Sequence, residues 1–233
     1  MLDFGLYTHL TFDCYGTLID WESGILAALR RILERHEVVA DDTTLLRLYA
    51  RFEAEEETGP YRTYREIQGV VADRIAADLG FEATEEDLAE LPDSIGQWPP
   101  FPDTVESLAR LRRRFRLVVL SNIDDDLFLE TGRTLGIEFD DIITAQQAGS
   151  YKPALHNFEF ALGRLEVPVS QVAHVAQSLY HDHVPAKEMG FATVRVNRPS
   201  ILRGTGLALP ADVTPDLEVP NLWDLVELIG LDG

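Results

Sequence analysis

The sequence predicts an α/β fold: a doubly wound parallel sheet interrupted early by a block of helices. Three observations lead there. From residue 102 onward, short apolar runs of strand length alternate with helical periodicity, the pattern of a parallel sheet covered on both faces. Residues 23–91 carry helical periodicity and no convincing β pattern. Between the two regimes lies a cluster of breakers, QWPPFP at 97–102, which reads as a hinge.

The elements follow in order. In LTFDCYGTLID, residues 10–20, Leu10 and Phe12 continue an apolar run begun around Leu6 and Tyr7, and Gly16 and Thr17 break it. That sets the Asp13 carboxylate at the C-terminal edge of a buried strand, where open α/β sheets bind ligands. In the helical block, Ile25, Leu26, Leu29, Ile32 and Leu33 form one apolar face, and Leu45, Leu48, Tyr49 and Phe52 a second. Ile67, Val70, Val71, Ile75 and Leu79 form a third, closed by Gly80 at a helix C-terminus. Beyond the hinge the spacing predicts helices at 104–114, 127–135, 155–165, 184–189 and 222–229, and strands at 116–120, 141–144, 172–175 and 192–196. The Pro and Gly content of 199–220 reads as an irregular excursion.

Bulk properties bound the function. A chain of 233 residues and 26.2 kDa buries a full core in one large domain, with or without a smaller insertion. No apolar stretch approaches a membrane span, and MLDFGLYTHL lacks the basic region and cleavage pattern of a signal peptide. The single cysteine, Cys14, excludes an intrachain disulfide, so a cytoplasmic location is expected. A formal charge of −20 repels nucleic acid and anionic membranes and reads as a solubility or salt-adaptation surface. A small anionic substrate therefore needs local positive charge. Lys152 and Lys187 are the only lysines, which singles them out where arginine is the default cation.

Four strand ends bring polar residues to one edge of such a sheet. They carry Asp13; Ser121 and Asn122 after RLVVL; Lys152 in GSYKP; and Gln177 to Asp182 after VAHV. Any one of them alone suits a satisfied polar residue or a helix cap; Ser121, Asn122 and Asp124 to Asp126 could simply start a helix. Together they mark a site.

The order DCYGT at 13–17, SN after VVL, YKP, and a strand followed by QSLYHD resembles the haloacid dehalogenase-like hydrolase superfamily, and is most similar to its type II (S)-2-haloacid dehalogenases. The resemblance covers the whole chain and implies a Rossmann-like catalytic core in residues 1–20 and 95–233, with a helical cap in 21–94 inserted after the first strand. It implies that Asp13 is a nucleophile forming a covalent ester that water hydrolyses. Lys152 then keeps Asp13 ionised, Asp182 orients Lys152, and Thr17 hydrogen-bonds near the nucleophile. Ser121, Asn122, Gln177 and the turn amides of Cys14 and Tyr15 form the binding set for a substrate carboxylate or an oxyanion. Arg47, with Arg51 as the alternative, stands where a cap arginine clasps the departing halide. A small carboxylate substrate, no cofactor and a homodimer complete the implication.

The superfamily also contains magnesium-dependent phosphatases, and residue chemistry separates the two. The phosphatases carry a second aspartate as general acid two residues after the nucleophile, where this chain has Tyr15, a weak donor with an ordinary pKa of about 10. Where they place a metal-binding aspartate, this chain has the neutral amide of Gln177. Halide leaves without a proton, so the reading is a metal-independent hydrolase cleaving the carbon–halogen bond of small 2-haloacids. A phosphatase holding Mg²⁺ on Asp13 and Asp182, or a non-catalytic carboxylate-binding relative, is the alternative. The chain departs from the dehalogenase pattern at Gln177 and Leu179, which replace Ser and Asn, and at Phe158, where a tyrosine is expected; these unsettle the substrate. His181, Asp182 and His183 suggest a metal cluster, but neighbours in one turn point apart and a local helix start suits them better. Cys14 reads as packing beside Asp13. Trp98, Phe101, Tyr61 and Tyr64 suit hinge and cap packing at least as well as an apolar pocket.

Overall fold

In the computed structural model, which describes residues 2–202 and 206–231, β1 (His9–Phe12) is followed by four helices: α1 (Trp21–Arg35), α2 (Asp42–Glu57), α3 (Tyr64–Asp78) and α4 (Glu85–Ser94). The chain then runs α5 (Thr104–Leu111), β2 (Arg116–Ser121), α6 (Asp125–Leu135), β3 (Asp141–Thr144), α7 (Ala145–Ala148) and α8 (Leu155–Leu165). It closes with β4 (Val172–Ala176), α9 (Val184–Glu188), β5 (Ala192–Val196), β6 (Leu217–Val219) and α10 (Leu222–Ile229). All six strands pair in parallel in the order β3-β2-β1-β4-β5-β6. This is the α/β doubly wound sheet, and its order turns back at β1, which opens the crevice where such sheets take ligands. Phe12 pairs with Val119 of β2 and Val175 of β4, so Asp13, Ser121 and Gln177 leave the sheet side by side.

Both faces of β1 are buried, as expected of a central parallel strand. Its polar Thr11 is satisfied within the sheet, where its hydroxyl meets His174 Nδ1 of β4 at 2.9 Å. Gly16 takes a left-handed φ of 87° in the turn after Asp13. Gly24 lets α1 close on the hinge, since a Cβ there would stand 2.2 Å from the Trp98 ring.

The four helices that follow β1, called the cap below, start on side-chain caps. Thr63 and Glu66 form a capping box at α3, and Thr84 and Asp87 another at α4. The cap is also tied to the core. The Asp124 carboxylate, before α6, accepts from the amides of Tyr64 at 3.0 Å and Arg65 at 2.9 Å, neutralising the start of α3 from outside the cap. The Tyr151 hydroxyl donates to Arg62 O at 2.8 Å. Two elements depart from the sequence expectation. Helix α4 was not signalled by apolar periodicity because it has acids at 85–87 and an internal Pro92. Strand β6, three residues long, lies inside the 199–220 excursion and is too short to show a period. Among the described residues no helix is long and apolar enough to cross a membrane.

Candidate active site

The site is built around one buried ammonium. Lys152 Nζ donates to Asp13 Oδ1 at 2.9 Å, to Asp182 Oδ1 at 2.6 Å and to Leu120 O at 3.0 Å, so each of its three protons has an acceptor. Burial works against this charge, but the two carboxylates outweigh it and raise the lysine above its ordinary pKa. Asp13, 7% exposed, has its other oxygen fixed by Thr17, whose hydroxyl donates to Oδ2 at 2.7 Å and accepts from the Gln177 amide at 2.9 Å. Burial pushes the Asp13 carboxyl up, and Lys152 and Thr17 pull it back toward the ionised form. Asp182 is also desolvated, yet Lys152 and His174 hold its carboxyl below the usual range; His174 Nε2 lies 3.0 Å from the oxygen that takes the ammonium. The chain Thr11, His174, Asp182, Lys152, Asp13, Thr17 is thus one continuous hydrogen-bonded line across β1 and β4.

The remaining strand-end residues divide by role. Ser121, 2% exposed, lines the cavity above Asp13, and its Oγ has no hydrogen-bond partner. The Cys14 and Tyr15 amides make no hydrogen bond among the described residues, so the turn presents two free donors beside Asp13. Tyr15 itself is turned away from any acid role: its hydroxyl meets Thr131 Oγ1 at 2.7 Å, and burial pushes the phenol well up. The Cys14 side chain is buried in the apolar core, where desolvation raises the thiol.

The family model of the haloacid dehalogenase-like hydrolases matches residues 7–189, a span that holds every residue of this line. The chain belongs to that family. A curated relative, the (S)-2-haloacid dehalogenase of Xanthobacter autotrophicus, is 27% identical over 96% of each chain. A glyceraldehyde 3-phosphate phosphatase of Methanocaldococcus jannaschii is 31% identical, but over only 56% of each. Among solved structures, the L-2-haloacid dehalogenase of Xanthobacter autotrophicus superposes with a TM-score of 0.81 at 23% identity, covering 97% of this chain and 100% of that one.

In this haloacid dehalogenase-like hydrolase, the expected placement of the cap arginines needs correction. Asn122, expected to bind substrate, lines the cavity, and its amide also clamps the main chain of Lys152: Oδ1 accepts from Lys152 N at 2.7 Å and Nδ2 donates to Lys152 O at 3.1 Å. Neither cap arginine reaches the cavity. Arg47 is exposed and lines a separate groove with Thr43 and Leu202, and Arg51 pairs with Asp78 at 2.9 Å. The cause is the rotation of α2. Its buried face carries Leu45, Tyr49 and Phe52, and positions 47 and 51 lie one turn apart on the opposite side.

The row that does face the cavity continues from the buried Tyr49 to Glu53 and Glu57, and the two glutamates line it together with Trp21 and Tyr64. Sequence reasoning missed both. The available signal was a pair of acids at four-residue spacing continuing the row of Tyr49. Glu53 Oε1 accepts from the hydroxyls of Tyr49, at 2.8 Å, and Tyr64, and burial raises its pKa. Glu57 is raised further by burial and by Glu53. His181 lines the cavity 4.0 Å from Glu57, burial pushes it down to about 4, and its neighbour His183 turns away to Ala176 O at 3.0 Å. Phe158 is fully buried with its edge against the His174 ring, packing that fixes the imidazole beside Asp182.

Proposed function

We propose that this hydrolase breaks the carbon–halogen bond of a small 2-halo acid, or of an uncharged derivative of one, through a covalent ester on Asp13. The observation that carries the reading is the pairing of a fixed, charge-balanced Asp13 with a neighbouring Tyr15 whose hydroxyl is bound to Thr131. Such a site supplies a nucleophile and no proton for a poor leaving group. An Asp13 oxygen attacks the carbon bearing the halogen, and halide leaves with the bonding pair. Water then attacks the Asp13 carboxyl carbon. The Cys14 and Tyr15 amides and Ser121 Oγ hold the oxyanion in this reading, and its collapse releases the 2-hydroxy product, a proton and the free carboxylate.

The donor set at this edge suits magnesium poorly. Asp13 and Asp182 share one ammonium, and position 177 offers a neutral amide, so no step is routed through a metal. The partial match to a phosphatase supports the second reading, and one experiment separates them. Halide release from 2-chloroacetate and 2-chloroacetamide, and phosphate release from small phosphate esters, are measured with and without EDTA. The proposal expects chelator-resistant halide release, ¹⁸O from labelled water in Asp13 after a single turnover, and complete loss in Asp13→Asn. EDTA-sensitive phosphate release without halide release would replace it by the phosphatase.

A further inference from the structure

The cavity is acidic where a carboxylate-binding site needs positive charge. Asp13, Asp182, Glu53 and Glu57 line it, and Lys152 is the one lysine or arginine among the described residues that does. That ammonium already has an acceptor for each proton. The hydroxyls of Tyr49 and Tyr64 are drawn to Glu53, and Arg47 and Arg51 lie elsewhere. Glu57, 10% exposed, is held over the site from the cap, 4.0 Å from the His181 imidazole, with Asn122 and Lys152 also acting on its carboxyl. A substrate carboxylate here would meet carboxyl groups with no cation but the Lys152 ammonium, whose three protons already have acceptors. Ser121, 2% exposed in the same cavity, has an Oγ without a hydrogen-bond partner, a polar group left over for a ligand to satisfy.

We propose that the group this pocket recognises beside the reacting carbon is an N–H donor without negative charge, an amide or an ammonium, received by the cap glutamates and by Ser121. The inference rests on the proposed chemistry only for the identity of the reacting carbon. With 2-chloroacetamide, an Asp13 oxygen displaces chloride from the methylene carbon. Water hydrolyses the ester, giving 2-hydroxyacetamide, chloride and a proton.

Binding tests this independently of turnover. Calorimetry on the intact chain near neutral pH compares propanamide, propylammonium and propanoate. At least one nitrogen compound is expected to bind tenfold or more tighter than propanoate, and the better of the two assigns the neutral or the cationic form. Glu57→Gln should shrink the preference at least tenfold. Propanoate binding as tightly as either nitrogen compound, with proton uptake on binding, would show that the glutamates are protonated to receive an acid and would overturn the inference. So would failure of both nitrogen compounds to bind. Turnover separates the two readings. Halide release that favours 2-chloroacetate sinks this inference and spares the chemistry, and the expected binding order without any halide release does the reverse.

Discussion

Replacing Lys152 by methionine keeps most of the side-chain volume and deletes the charge that three acceptors share. The variant leaves Asp13 and Asp182 buried without a counterion and Leu120 O without its 3.0 Å donor. Removing one partner of a buried pair costs about 3–5 kcal/mol. At this chain length each kcal/mol corresponds to about 2–4 °C of melting temperature, so Lys152→Met should melt about 6–20 °C below the parent at pH 7. The pH dependence has a definite sign. In the parent, Asp182 is held below its ordinary value, so the stability it contributes is present above an unfolded carboxylate pKa of about 3.9 and is lost as pH falls through the folded value. In the variant both carboxyls lose their counterion and their folded pKa values rise, so the folded protein takes up protons and the gap to the parent narrows from pH 7 toward about 4. Scanning calorimetry of both proteins across that range is the assay. Adding Asp182→Asn should recover part of the loss, because one unbalanced charge disappears while the oxygen facing His174 remains. A melting difference below about 2 °C at pH 7, or one that does not change with pH, would refute the ion-pair account.

Two further outcomes follow from contacts described above. Tyr15→Phe removes a hydroxyl bound only to Thr131, so kcat for halide release should stay within about threefold of the parent, whereas loss of a general acid costs about 10²–10⁴-fold; steady-state kinetics decides. Asp124→Ala removes both acceptors at the start of α3, a cap worth about 1–2 kcal/mol, and hydrogen exchange at the Tyr64 and Arg65 amides should accelerate by about tenfold, with no change expected at the amides of β1.

The sheet edge was legible because polar residues directly follow apolar runs at Asp13, Ser121 and Gln177, and in a parallel sheet such positions converge whatever their sequence separation. The cap was less so. Its helices announce which residues are buried, but not which part of the buried face overlooks Asp13. Arg47 and Glu53 stand about 120° apart on the helical wheel, so the rotation of α2 decides which of them turns toward it. Asn122 illustrates a second limit. It stands beside Ser121 at a strand end, yet its partner is the main chain of a residue 30 positions later, and a contact of that kind leaves no local pattern. Helix α4 is written in its capping box, not in its apolar spacing, and β6 is only three residues long.

Tyr151 and Lys152 are consecutive, but they serve different bodies. The phenol grips Arg62 O on the cap side, and the ammonium sits beneath Asp13. Neighbours so placed would ordinarily transmit movement from one to the other. Asn122 interrupts that transmission by holding both the amide and the carbonyl of Lys152 to the sheet edge. The clamp works as an isolator: the main chain of Lys152 is tied to the sheet edge independently of the contact that Tyr151 makes with the cap, so the position of the ammonium beside Asp13 does not hang on that contact.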